Sequence, residues 1–168
     1  VQDKLDNTRL LVAHNAPHDL LWLWESGFTY DGEVFDTMLG EYILQRGQKE
    51  PLSLEACAER HQLHTKKQDT LKEYFKQGLN VSEIPHDELS EYLSADLHAT
   101  QQLFRHQDKE YTFGKGKTLV DTIRLTNQLA VHLARIYQRG FKVDLTVLEE
   151  VRKEFEQEKQ ELTVKLEE

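Results

Sequence analysis

A mostly helical α/β fold is what the sequence predicts, on three observations. Two short apolar runs, LLVA and EVF, are too short for helices, and each is followed within a few residues by a helix-like segment. Over most of the remaining chain, apolar residues recur three and four apart. The 168 residues, 38% of them hydrophobic and 30% charged, suffice for one domain with a real core.

Arg9 to Ala13 reads as a strand buried through Leu10, Leu11 and Val12. Pro17 to Gly27 reads as a helix, with Pro17 suited to its first turn and Gly27 to its stop. Glu33 to Phe35 is the second strand, and Asp36 is placed to cap the helix DTMLGEYIL. Ser53 caps SLEACAERHQL; a polar stretch then leads to DTLKEYF. After a loop from Ser82 to Pro85 comes the longer helix HDELSEYLSADLHATQQLF, with Leu89, Leu93, Leu97 and Phe104 as its core-facing stripe. Lys109 to Lys117 is a Gly/Lys-rich connection. From Asp121 a helix carries Leu125, Leu129, Leu133 and Ile136 until Gly140 breaks it. FKVD leads into a last helix from Thr146, with Leu148, Val151, Phe155, Leu162 and Leu166 on one side. So thin a stripe on so long a helix wants a partner.

Composition excludes some functions. A net charge of −9 argues against a protein that coats nucleic acid through a general basic surface. It is compatible with an enzyme that grips a few nucleotides and handles phosphate through metal ions. No run approaches the ~20 apolar residues of a membrane span, so no membrane partner is expected. VQDKLDNTRL lacks the basic-then-apolar layout of a signal peptide. A single cysteine, Cys57, rules out an internal disulfide framework and suits a reducing compartment. FGKGKT is no phosphate loop, because Tyr111 stands where the pattern needs glycine. The eight histidines include no H-E-x-x-H pair.

Two segments carry groups suited to chemistry. In AHNAPHDLLWL, Asn15 and Asp19 sit at a strand-to-helix join, with His14 and His18 beside them. One reading is structural: Asn15 caps the helix and Asp19 favours the positive end of its dipole. The other is half of a metal site. In the later helix, Tyr92 and Asp96 are four apart and share a face, either as an ordinary polar pair or as working groups. Trp22 and Trp24 read as core and edge packing rather than base-stacking platforms, because their helix is apolar almost throughout and burial explains them without nucleic acid. Lys66, Lys67, Lys115 and Lys117 are solvating surface charges that could also contact phosphate.

N-x-x-x-D at a strand-to-helix join, followed 77 residues later by Y-x-x-x-D in a helix, resembles two of the three motifs of the DEDD 3′–5′ exonucleases. Tyrosine in the last motif points to their tyrosine-type subgroup. AHNAPHDLLWL, VFDTMLGEYIL, LSLEACAERH and YLSADLHAT occur in the order found there. LAVHLARIYQRGFKVDLTVLEEV looks like the segment joining that domain to the polymerase domain of family A DNA polymerases. The resemblance implies an RNase H-like exonuclease fold over residues 1–108, a linker over 109–120, and the start of the polymerase domain, with connecting and thumb helices, over 121–168. It implies proofreading: removal of 3′-terminal nucleotides by two-metal-ion phosphodiester hydrolysis, with Mg2+ or Mn2+ as cofactors. Asp19 and Asp96 would be metal ligands, hard oxygen donors suited to such cations. Tyr92 would orient the attacking water, and Asn15 would bind substrate. Asp36 and Thr37 match a further family position, where capping already accounts for Asp36. The implied partners are the single-stranded 3′ end of DNA and the rest of the polymerase polypeptide, in the cytoplasm of a bacterium or phage-infected cell.

The family's D-x-E motif should lie some tens of residues before Asn15, and VQDKLDNTRLLVAH contains none. The expectation is therefore an N-terminally truncated exonuclease segment, inactive alone, from inside a phage or bacterial replicative polymerase. An RNase D-like exoribonuclease shares the motifs but would continue into a helical RNA-binding domain rather than QRGFKVD and a long charged helix. A degenerate exonuclease kept as a scaffold would have lost the carboxylates, and a plain helical interaction module would not need this ordered set.

Overall fold

The computed structural model describes residues 1–63 and 69–167; the polar stretch with Lys66 and Lys67 lies outside them. The described residues form a mostly helical α/β structure with eight α-helices and one two-stranded parallel sheet. They divide into two compact units, residues 1–136 and 137–168.

The first unit opens with a short helix, α1 (Gln2–Asp6), where the sequence suggested no element. Strand β1 (Leu10–Ala13) leads through Asn15 into helix α2 (Ala16–Glu25), which gives way to β2 (Glu33–Asp36). The strands pair in parallel, Leu10 opposite Glu33 through Ala13 opposite Asp36. Parallel neighbours need such a crossover, and α2 supplies it. Gly27, just past α2, holds φ +82°, which glycine adopts without a Cβ penalty. The strands are half-buried rather than buried, and Leu10 is exposed, because the sheet has two strands and both have an open edge.

Period-two alternation sends neighbouring β2 side chains into different clusters. Val34, with Leu11, packs on a core of Leu20, Trp24, Tyr30 and Ala134. Phe35 packs on a second core of Leu44, Tyr111 and Ile123. Its ring meets Phe104 and Tyr111 edge-on, with centroids 5.1 and 6.3 Å away.

Helix α3 (Thr37–Leu44) starts at Asp36, and α4 (Leu54–Arg60) starts at Ser53, whose hydroxyl accepts from the Ala56 N–H at 3.2 Å. Both caps are where the sequence puts them. Helix α5 (Asp69–Lys76) and a 3-10 turn at Val81–Glu83 lead to the long helix α6 (His86–Thr112). The helix runs on through the first residues of the expected Lys109–Lys117 connection, and a 3-10 turn at Lys117–Leu119 follows.

Helix α6 corrects part of the expected stripe: Leu89 and Phe104 are half-buried, Phe104 against the Phe35 ring, but the middle of the stripe is not. Leu93 and Leu97 are 56% and 63% exposed, while Ala99, Leu103, Gln107 and Tyr111 are buried. These four recur every four residues and form the side facing α3 and α4, the helices α6 packs against. Helix α7 (Val120–Arg139) repeats the pattern. Ile123, Asn127, Ala130 and Ala134 are buried; Leu125, Leu129, Leu133 and Ile136 are exposed. Arg135 lays its guanidinium 3.6 Å from the centre of the Trp24 ring.

In the second unit, Gly140 (φ +63°) ends the helical run. Helix α8 (Leu145–Glu167) follows, its first N–H groups received by Asp144: the carboxylate accepts from Thr146 at 2.9 Å and Val147 at 3.3 Å. Leu148, Val151, Phe155, Leu162 and Leu166 are all exposed. No helix among the described residues is long and apolar enough to cross a membrane.

Candidate functional site

The join between β1 and α2 is organised by Asp36, not by Asn15. Asp36 is 1% exposed, and its Oδ1 accepts from the backbone N–H of Asn15 at 3.0 Å and of Met38 at 2.9 Å. Its Oδ2 accepts from Ala16 at 2.9 Å, and the Leu39 N–H reaches Oδ1 at 3.5 Å. One buried carboxylate thus receives the leading N–H groups of both α2 and α3, where each helix has unpaired donors. Its own N–H donates to Asn127 Oδ1 at 3.1 Å, tying the junction to α7.

With that role filled, Asn15 is released from capping. It sits in the left-handed region at φ 70°, ψ 52°, and its side chain makes no cap hydrogen bond. Asparagine tolerates that conformation better than most residues. Asn15, His18, Asp19 and Trp22 are all exposed. Asp19 lies in the first turn of α2. Its carboxyl is raised above the ordinary range, first by partial desolvation and also by the negative charge of Asp36; His18 and His14 pull the other way.

His14 is held on both sides. Nε2 lies 2.8 Å from the Leu52 carbonyl and Nδ1 2.9 Å from the Thr37 hydroxyl, which also reaches the Ala13 carbonyl at 3.1 Å. A carbonyl only accepts, so the imidazole carries a proton on Nε2. Burial holds its pKa below the usual 6.5, against the pull of the Leu52 carbonyl and of Asp36, Asp19 and Glu41.

Tyr92 and Asp96, both half-buried, lie one turn apart on α6 and act on each other electrostatically. Partial burial raises the phenol's pKa, and so do the Asp96 charge, the hydrogen bond to it and the charge of Glu55. Tyr92 is thus a neutral donor at physiological pH. The groups acting on Asp19 are His18, Asp36 and His14, whereas those acting on Tyr92 are Asp96 and Glu55.

The donor chemistry of Asp19 and Asp96 suits hard divalent cations. Among the described residues, however, no group of three or more His, Cys, Asp or Glu side chains is gathered to hold a metal ion. These residues alone do not make a two-cation site.

Trp22 departs from its expected packing role. Trp24 is 7% exposed, but Trp22, two positions earlier, is 66% exposed, with its ring edge-on to His18 at 6.4 Å between centroids. Hydrophobicity alone does not separate the two; their helical phase does, since they point about 200° apart around α2.

Compared with protein family models, with curated proteins and with solved structures, the chain matches none.

Proposed function

We propose that this chain is part of a tyrosine-type DEDD 3′–5′ exonuclease of RNase H-like fold, within a family A DNA polymerase. It would remove mismatched 3′-terminal nucleotides by two-metal-ion hydrolysis. The observation that carries the proposal is the release of Asn15 from capping, four residues before the exposed carboxylate of Asp19. Asp36 caps α2, so the N-x-x-x-D segment leaves a side-chain amide without a cap bond and an exposed carboxylate in the first turn of the helix. The coupling of Tyr92 to Asp96, one turn apart on α6, supports it. Asp19 and Asp96 are the proposed metal ligands, Tyr92 the group that orients water, and Asn15 the contact to the terminal nucleotide. Two divalent cations would supply hydroxide formation and stabilisation of the leaving 3′ oxygen. That requires the D-x-E carboxylates from a segment outside these 168 residues.

The test is degradation of a labelled, 3′-mismatched DNA primer in magnesium by the proposed polymerase polypeptide. Asp19→Ala and Asp96→Ala are each expected to lower the rate by at least about a hundredfold. Undiminished degradation by both variants would defeat the assignment. Preference for an RNA substrate would favour the exoribonuclease alternative, and inactivity of the unmutated polypeptide would favour the scaffold.

A further inference from the structure

We infer that Trp22 is a stacking platform for an unpaired nucleobase of the single strand whose end the site would receive. This rests on the function proposed above and names a residue that the N-x-x-x-D and Y-x-x-x-D motifs do not contain.

His18, Asp19 and Trp22 lie three and four apart and share one face of α2, with Asn15 at its head. All four are exposed. The core does not use the Trp22 ring, which belongs to neither apolar cluster. Between Leu10 and Tyr42 it is the one large apolar side chain left exposed. An interface for another protein would gather several apolar neighbours around such a ring. Here its helix face holds an imidazole, a carboxylate and an amide instead. One aromatic plane among hydrogen-bonding groups is the composition that reads splayed bases. The edge contact with His18 orients the indole, and 66% exposure leaves it open to a planar ligand. Stacking needs no positive charge, so it is compatible with a chain of net charge −9.

The intrinsic fluorescence of the 168-residue chain tests this. Trp24, buried beneath Arg135, gives a constant background against which Trp22 reports. With magnesium chelated, a short oligo(dT) is expected to quench the signal, whereas an abasic oligodeoxynucleotide of equal length is not. Trp22→Ala should abolish the quenching and weaken oligo(dT) binding, measured by anisotropy of a labelled strand, by about tenfold. Trp22→Phe should retain most of the binding. Equal binding by the unmutated chain and Trp22→Ala, equal responses to the two oligomers, or no binding at all would each overturn the inference. The primer-degradation test separates the two proposals. Loss of degradation in Asp19→Ala and Asp96→Ala beside an inert Trp22 leaves the exonuclease standing without the platform. Base-dependent quenching at Trp22 beside unaffected degradation leaves the platform without the exonuclease.

Discussion

At the scale of single residues, Asp36 and Asn15 exchange the roles that their positions suggest. Both stand at a helix start, and both belong to the set of good N-caps. Only Asp36 acts as one, and it does so for two helices, because the strand pairing sets it opposite Ala13, next to the start of α2. Its cap on α3 is legible from the sequence, since the acceptor and its donors are neighbours. Its hold on Asn15 and Ala16 spans some twenty residues and exists only once the strands have paired. Asp36→Ala is therefore expected to destabilise the chain by about 2–4 kcal/mol, from lost caps and buried donors left unpaired. Asn15→Gly should change stability by less than about 0.5 kcal/mol, since glycine accepts φ near 70° and no cap bond is lost. Urea unfolding of the two variants checks the ranking, and a larger loss in Asn15→Gly would contradict it.

Between elements, helical period was legible and phase was not. The spacing along α6 allows the stripe Leu89, Leu93, Leu97 as readily as Ala99, Leu103, Gln107, Tyr111, and the choice falls to the partner helices. Those partners favour small and polar groups at the closest contacts, which a search for leucines passes over. Gln107 is completely buried and donates to the Thr37 carbonyl at 2.9 Å and to Glu41 at 3.2 Å, while the Tyr111 hydroxyl donates to the Gly40 carbonyl at 2.8 Å. Gly40 is the point of closest approach. A Cβ there would lie 2.6 Å from Gln107 Oε1 and 3.3 Å from the Phe35 ring. The Gln107 amide is anchored and cannot swing aside without losing its bonds. Gly40→Ala should therefore lower stability by about 1–3 kcal/mol despite alanine's better helix propensity. Thermal unfolding would show the sign; an unchanged or raised midpoint would mean that the α3–α6 contact has slack.

Across the whole molecule, the mostly helical α/β class was legible, and so was the placement of Asn15 and Asp19 at a strand-to-helix join and of Tyr92 and Asp96 on a helix, because these follow from local spacing. Trp22 was not, since sequence pattern treats every tryptophan as core. Nor was the polar network inside the first unit. There Glu41 on α3, 2% exposed, pairs with Arg60 at 2.9 Å and lies in hydrogen-bond contact with the His61 ring at 3.0 Å, both at the end of α4. His106 on α6 lies against the His61 ring at 4.1 Å. Burial alone would raise the Glu41 carboxyl, but the hydrogen bond and charge of His61, with Gln107 and Arg60, hold it below its ordinary 4.5. His106 is held below 6.5 by burial, by His61 and by Lys115, with Glu110 and Glu41 opposing; His14 is lowered as well. A group whose pKa is lower folded than unfolded lets the unfolded chain bind protons first as pH falls. Its contribution is thus full above the unfolded value and is lost as pH drops through the folded one. The unfolding free energy should accordingly be flat from pH 8 to about 7 and fall below about 6.5 as the unfolded histidines charge, then fall again below about 4.5 through Glu41. Urea titrations across this range would reveal the two stages. His106→Gln should make the first stage shallower and leave the second in place. A stability that rises between pH 7 and 5.5 would mean that the histidines gain, rather than lose, from being charged in the fold.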